Sequence, residues 1–146
     1  MYALLYTSRA RTSLLADDLN QIIEVAQAHN RSLDVTGLLL HGRMEAIPSV
    51  PGGFVQWIEG PQDAVEALFA DIEDDPRHTD VEVIAQGEIA DLEREAHGVP
   101  KRTSYDGRLF PAWSMGLVQL AELPATLDGF LRFAADWTRD GFSEAA

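Results

Sequence analysis

The order of apolar segments predicts an α+β fold, a ferredoxin-like β-α-β-β-α-β sheet with an added fifth strand and a C-terminal helix. Two observations carry this prediction. Apolar runs of strand length recur along the chain, and helical apolar spacing fills the first and third gaps between them, whereas a loop fills the second. From the right-handed crossover rule we expect the first and third strands to lie side by side and parallel, with both helices on one face.

Three strands are predicted in the first half of the chain. They are residues 2–7, Val35 to Leu40, and Phe54 to Ile58. After the first strand, Thr12 and Ser13 are good helix N-caps, and the apolar residues that follow recur at helical spacing as far as Ala26. We expect this first helix to end near His29 or Asn30. Arg43 to Gly53 is too long for a tight turn, so we expect an extended loop between two antiparallel strands.

A second helix is predicted between Gly60-Pro61, which suits a first helical turn, and Asp75-Pro76, which ends it. Its core face at spacing i, i+3, i+4, i+7 consists of Val65, Leu68, Phe69 and Ile72. Val81 to Ile84 begins the fourth strand.

The last part of the chain adds two elements to this unit. The polar residues 91–109 indicate a loop or a short helical excursion, and Leu109 to Leu120 reads as a fifth strand. Apolar residues from Leu127 to Trp137 then form an amphipathic helix, which packs on the sheet or on a partner.

Composition excludes several classes of function. The net charge of −13 argues against a nucleic-acid partner, because phosphate binding needs clustered Lys and Arg. Without cysteine, and with four histidines that lack metal-ligand spacing, neither a disulfide framework nor a metal centre is expected. No basic leader precedes an apolar stretch and no run reaches membrane-span length, so we expect no membrane association and a cytoplasmic protein.

One pair of polar residues stands out from the strand pattern. Alternation puts Tyr6 on one face of the first strand and Gln56 on one face of the third. If both faces meet the helices, the two side chains project into the same space. A buried carboxamide needs hydrogen-bond partners, and these come from a ligand or from a simple Tyr–Gln core bond; alternatively Gln56 faces solvent.

Five motifs in order extend the interpretation of that pair. They are Leu4-Leu5-Tyr6-Thr7-Ser8-Arg9-Ala10; His29-Asn30-Arg31 followed by Val35-Thr36-Gly37-Leu38-Leu39; Phe54-Val55-Gln56-Trp57-Ile58-Glu59-Gly60; Asp75-Pro76-Arg77-His78; and Phe110-Pro111-Ala112-Trp113-Ser114-Met115-Gly116. Through nearly all of residues 1–118 the sequence resembles the BLUF family, sensors of blue light using FAD. The resemblance implies a photosensory flavoprotein rather than an enzyme, with the flavin held between the two helices.

The resemblance also implies roles for individual residues. Tyr6 matches the tyrosine that gives an electron and a proton to the excited flavin, and Gln56 the glutamine that bridges that tyrosine and the flavin. Asn30 and His29 match polar contacts to the ring. Ser8 is a further cofactor-binding residue. Arg31, Arg77 and His78 are assigned to the ribityl or phosphate end. The fifth-strand pair that carries the signal corresponds to Trp113 and Met115.

Simpler roles remain open for several of these residues. His29 would also suit a helix C-terminus, where a cation complements the helix dipole, and Asn30 a left-handed C-cap. Trp113 is equally consistent with plain core packing. Arg77 and His78 could equally be surface residues without a role in binding.

The resemblance further implies a domain division and partners. Residues 1–120 form the flavin-binding domain and 121–146 a C-terminal helical extension. We expect FAD, with FMN or riboflavin as alternatives, a homo-oligomer, and an unidentified downstream protein partner. The Arg43–Gly53 loop and residues 91–109 are longer than the compact family pattern. The rival hypotheses are an acylphosphatase-type hydrolase, which lacks its glycine-rich cradle here, and a cofactor-free interaction module.

Overall fold

The computed structural model describes residues 1–10, 21, 30, 32–44, 46–47, 51–76, 78–99, 101–102 and 106–139. The strands are β1 (Tyr2–Ala10), β2 (Thr36–Arg43), β3 (Gly53–Gly60), β4 (His78–Glu88) and β5 (Trp113–Gln119). The helices in this part of the chain are α1 (Gln62–Glu73), α2 (Ile89–Glu95) and α3 (Leu127–Arg139), with a 3₁₀ turn at Leu120–Glu122. Most of the predicted first helix lies outside the described residues.

The strands form one sheet in the order β4-β1-β3-β2-β5. β1 and β3 are neighbours, as predicted, but they run antiparallel, so the expected parallel pairing is wrong. The crossover rule relates β1 to β2, both of which are antiparallel to β3. β3 returns from β2 as an antiparallel partner and inserts between the two parallel strands. β5 adds to the free edge of β2 in parallel.

Two predicted boundaries move in the structure. The fifth strand begins at Trp113 rather than at Leu109, because the amides of Leu109 and Phe110 donate to the Glu59 side chain instead of to a strand ladder. The fourth strand is longer than its apolar core, running from His78 to Glu88. The polar stretch predicted as a loop or short helical excursion begins within α2, which covers Ile89–Glu95.

One face of the sheet, here called the Tyr6 face, packs against α1. Its buried cluster includes Leu4, Tyr6, Val35, Ile58, Val65 and Leu68. Val65 and Leu68 of the predicted core face of α1 are buried. Phe69 and Ile72 are partly buried against the same cluster, which confirms the predicted helical face.

The opposite face, here called the Trp57 face, packs against α2 and α3. The indole of Trp57 stacks on Phe130 of α3, with ring centroids 5.4 Å apart and planes 5° from parallel. Phe130, Leu131 and Ala134 are all buried in this cluster. The C-terminal helix therefore covers the side of the sheet that Tyr6 and Gln56 do not use.

Within the described part of the chain, no helix combines the length and apolar character needed to cross a bilayer. The same residues contain no cluster of three or more His, Asp or Glu side chains suited to a metal ion.

Candidate functional site

Tyr6 and Gln56 lie directly opposite each other in the β1–β3 ladder. The Tyr6 hydroxyl donates a hydrogen bond of 2.5 Å to Gln56 Oε1, and both side chains are buried, 3% and 6% exposed. Their convergence on one face confirms the prediction from strand alternation, and it excludes the alternative of a solvent-facing Gln56. Among the described residues the amino group of Gln56 has no partner, so it can donate to a ligand on this face.

An irregularity in the sheet sits next to Tyr6. Leu5 pairs with Ala85 of β4 but Tyr6 pairs with Val83, so Ile84 is an extra residue on that strand. Such a bulge increases local twist and re-aims the neighbouring side chains. The Tyr6 ring is further enclosed by Phe69 of α1, with centroids 5.6 Å apart. The phenol is thus held from the sheet and from the helix.

His78 forms a second polar arrangement beside Tyr6. Its Nδ1 lies 2.8 Å from Ser8 Oγ and its Nε2 lies 2.6 Å from the Ile72 carbonyl oxygen. Because a carbonyl accepts only, Nε2 carries a proton, and in neutral His78 the Ser8 hydroxyl donates to Nδ1. The ring meets Tyr6 edge-on at 6.2 Å and is 8% exposed, so His78 is not the surface residue of the simpler alternative. Both ring nitrogens are thus engaged by described residues, and the predicted contact of His78 with the flavin stays a prediction.

Asn30 is a buried helical residue just before the turn that leads into β2, with 2% of its surface exposed. Its carbonyl oxygen accepts from the amides of Leu33 and Val35. The left-handed residue at this turn is Asp34, with φ of 59°, so Asn30 is not a left-handed C-cap. Its carboxamide forms no hydrogen bond to another described residue.

Trp113 and Met115 lie on the Tyr6 face of β5. Met115 is in register with Leu39, which is in register with Gln56, so these three side chains form one row across the sheet. Trp113 is opposite Gly37, one step along that face, and its indole Nε1 is buried with no hydrogen-bond partner among the described residues. Both residues belong to a buried cluster with Leu39 and Phe54.

Two buried polar residues were not among the predicted site residues. His41, next to Phe54 on the Tyr6 face, is 1% exposed, and neither ring nitrogen has a hydrogen-bond partner in the part of the chain that the structure describes. Burial lowers its pKa, and the positive charge of Arg43 lowers it further. Glu59 is completely buried on the Trp57 face. The signal for both was a titratable residue inside an otherwise apolar strand. The predicted contacts His29, Arg31 and Arg77 lie outside the described residues.

Residues 1–116 match the family model described as sensors of blue light using FAD, BLUF. The chain belongs to the BLUF family. A BLUF domain is a photosensory module and not itself an enzyme, and members of the family bind a flavin.

Curated relatives agree with this assignment. The photoactivated adenylate cyclase subunit beta of Euglena gracilis is 42% identical over 81 residues, which is 56% of this chain and 8% of that protein. The subunit alpha of the same organism is 35% identical over 100 residues, 68% of this chain and 9% of that protein. The matched regions therefore cover less than a tenth of the length of these relatives.

Solved structures of BLUF proteins share the fold. The dark-state structure of the BLUF protein BlrB is 30% identical, with a TM-score of 0.56 over 97% of this chain and 84% of that one. BlrP1 of Klebsiella pneumoniae, in a calcium and cyclic-diGMP complex, is 25% identical with a TM-score of 0.55. That match covers 98% of this chain and 30% of BlrP1. The predicted ferredoxin-like class is thereby confirmed.

Proposed function

We propose that this chain is a blue-light photoreceptor that binds a flavin on its Tyr6 face and signals to a partner protein. In this proposal, light rearranges the hydrogen bonds among Tyr6, Gln56 and the flavin. The observation that carries the proposal is the buried 2.5 Å bond from the Tyr6 hydroxyl to Gln56 Oε1, in a chain of the BLUF family.

The residues of the Tyr6 face fit a flavin. A flavin ring presents carbonyl acceptors and an imide donor along one edge, and such a group requires polar partners in a buried setting. Among the described residues neither the amino group of Gln56 nor the Asn30 carboxamide has a hydrogen-bond partner, so both can bond to a ligand. These two side chains supply donors and acceptors for the ring edge. Of the contacts that the family resemblance implies, His29 joins them at the ring and Arg31 and Arg77 lie at the ribityl or phosphate end.

When bound, the flavin supplies the absorption of blue light and an acceptor for one electron. Tyr6 can release an electron from its phenol together with the hydroxyl proton, and Gln56 Oε1 is the acceptor already in line for that proton. A carboxamide offers an acceptor on one side and two donors on the other. Rotation of Gln56 would therefore reverse the bond to Tyr6 and present a different group to the ring, without covalent chemistry at the protein.

The route by which the change leaves the site follows the sheet. Gln56, Leu39 and Met115 are in register across β3, β2 and β5, so a moving carboxamide disturbs the row that ends at Met115. In the described sheet β5 is an edge strand, held only by β2. Like β4 at the other edge, β5 has one partner and is less restrained than the inner strands, and it is the edge strand that Gln56 reaches through Leu39. This favours Trp113 and Met115 as the output residues.

Several finer points belong to the same proposal. We propose FAD as the flavin, a cytoplasmic location, a homo-oligomeric state and a separate effector partner. We also propose residues 1–120 as the flavin-binding domain and 121–146 as the extension. Related proteins named photoactivated adenylate cyclases carry this type of sensor, which supports coupling to an effector. Neither the hydrolase nor the cofactor-free module gains support, since the matched family is photosensory.

The test is spectroscopic. The purified full chain should be yellow, and chromatography of the extracted flavin identifies FAD, FMN or riboflavin. Blue light should shift its absorption reversibly to longer wavelength, because the rearranged Gln56 carboxamide changes the hydrogen bonding of the ring. A protein that stays colourless after incubation with each of the three flavins would contradict the proposal. A coloured protein whose spectrum ignores blue light would also contradict it.

A further inference from the structure

The carboxyl group of Glu59 accepts four hydrogen bonds on the Trp57 face. Glu59 is 0% exposed in the β3 strand, among apolar neighbours. Its Oε1 accepts from Trp57 Nε1 at 2.8 Å and from the Leu109 amide at 2.9 Å. The other oxygen, Oε2, accepts from Thr36 Oγ1 at 3.0 Å and from the Phe110 amide at 2.8 Å.

These four bonds match the capacity of an ionised carboxylate. A carboxylate has about four lone-pair sites and no donor, so four donors fill it. Burial raises the pKa of Glu59, while the bonds from Leu109, Trp57, Phe110 and Thr36 act in the opposite direction. A charged group in such a position is retained only where its partners are fixed.

The donors come from three segments of the chain. Thr36 opens β2, Trp57 lies in β3, and Leu109 and Phe110 belong to the segment that leads into β5. Arg108 ties the same segment to the turn before β2. Its guanidinium lies 2.9 Å from the Asp34 carboxylate and donates to the Asp34 carbonyl oxygen at 2.8 Å. The leading segment is thus anchored through side chains rather than through a strand ladder.

The Glu59 carboxylate and the amides that it binds lie close in sequence to Gln56 and to the proposed output residue Trp113. Glu59 is on the same strand as Gln56, and Phe110 is followed closely by Trp113. Pro111 lacks an amide hydrogen, so it cannot add a ladder bond between the anchored amides and Trp113. The start of β5 is therefore set by Glu59 and Arg108 on one side and by pairing with β2 on the other.

We propose that Glu59 is a positioning residue whose carboxylate, through the Leu109 and Phe110 amides, sets where Trp113 and Met115 stand beside Gln56. This inference rests on the proposed function for its light-dependent part. Glu59 does not touch the Tyr6 face itself, since it projects from the opposite side of β3. Glu59 therefore acts on β5 and not on the hydrogen bond between Tyr6 and Gln56.

The test compares Glu59→Gln with Leu131→Ala in the full chain. The glutamine keeps the shape but replaces one acceptor oxygen with a donor, which opposes one of the donors around it. Leu131 of α3 is buried in the apolar cluster of the Trp57 face and is not among the donors to Glu59. Its truncation therefore shows what a loss of stability alone does to the spectrum. Both proteins are labelled with 5-fluorotryptophan, and the fluorine resonances are assigned by Trp→Phe replacements.

We expect the Trp113 resonance to shift or split in Glu59→Gln and to stay in place in Leu131→Ala. Trp57 is not diagnostic, because it bonds Glu59 directly. In the flavin-loaded protein, Glu59→Gln should keep the light-induced red shift. The rate at which its absorption returns to the dark spectrum after illumination, here called the dark recovery, should change severalfold. Should Glu59→Gln fail to fold, Glu59→Asp keeps the charge but shortens the reach, and the same Trp113 displacement is expected.

An unmoved Trp113 resonance in a folded Glu59 variant would overturn the positioning role and leave Glu59 as a plain anchor. So would an unchanged dark recovery. The fluorine measurement in the dark does not need a photocycle. A wild-type protein without a light response would therefore refute the proposed function while still leaving the placement of Trp113 by Glu59 measurable.

Discussion

Tyr6 and Gln56 are joined by a 2.5 Å hydrogen bond between directly opposed positions of two antiparallel strands. This register fixes the relationship more tightly than shared burial would, because neither side chain can leave the other without breaking the ladder or rotating in place. Rotation of the Gln56 carboxamide is the smaller of these changes. The proposed switch therefore changes one hydrogen bond while the backbone of the Tyr6 face stays in place.

Two buried serines provide a matched test of the His78 arrangement. Ser8 bonds His78 Nδ1, whereas Ser114 Oγ is buried without a partner. Ser8→Ala should lower the free energy of unfolding by about 1–2 kcal/mol, since it leaves a buried nitrogen unpaired. Ser114→Ala should be neutral or stabilising. Urea unfolding measures both, and equal effects of the two replacements would contradict the bond.

Gly37 should tolerate no side chain. A Cβ atom there would lie 1.9 Å from the Trp57 carbonyl oxygen, and the residue has φ of 155°. Gly37→Ala should destabilise the protein by more than about 2 kcal/mol, because backbone atoms must move. Gly87 has a similar φ of 150° but its nearest neighbour is a Leu92 side-chain atom at 3.9 Å. Gly87→Ala is the control, and thermal unfolding showing equal losses would argue against the close approach.

His41 should make stability depend on pH. Burial, reinforced by Arg43, lowers its pKa below the ordinary 6.5. Between the two values the unfolded chain binds a proton that the folded chain does not, so stability from this site is complete above about pH 6.5 and is lost as pH falls through the lowered pKa. His41→Phe keeps a ring beside Phe54 but cannot titrate.

The measurement for His41 is urea unfolding at about pH 7.5 and about pH 5.5 for both proteins. The wild type should lose more stability than His41→Phe on acidification. If the two proteins lose the same amount, His41 does not carry the proton difference.

Local patterns predicted most of the fold and the central pair. Strand alternation placed Tyr6 and Gln56 on one face, and helical spacing found the buried side of α1, because both periods are local properties of the sequence. Strand direction failed, since the crossover rule was applied to β1 and β3 although it relates β1 to β2. The predicted start of β5 at Leu109 was also wrong, because the Leu109 and Phe110 amides donate to the Glu59 side chain, which lies about fifty residues earlier in the chain.

The central claim is that the Tyr6–Gln56 bond is the photoactive element, and light-minus-dark absorption of three proteins tests it most directly. Wild type, Tyr6→Phe and Gln56→Leu should all bind the flavin, because neither replacement removes Asn30 and both keep the buried volume. Wild type should give a reversible red shift and both variants should give none. A red shift of wild-type size in either flavin-loaded variant would contradict the account.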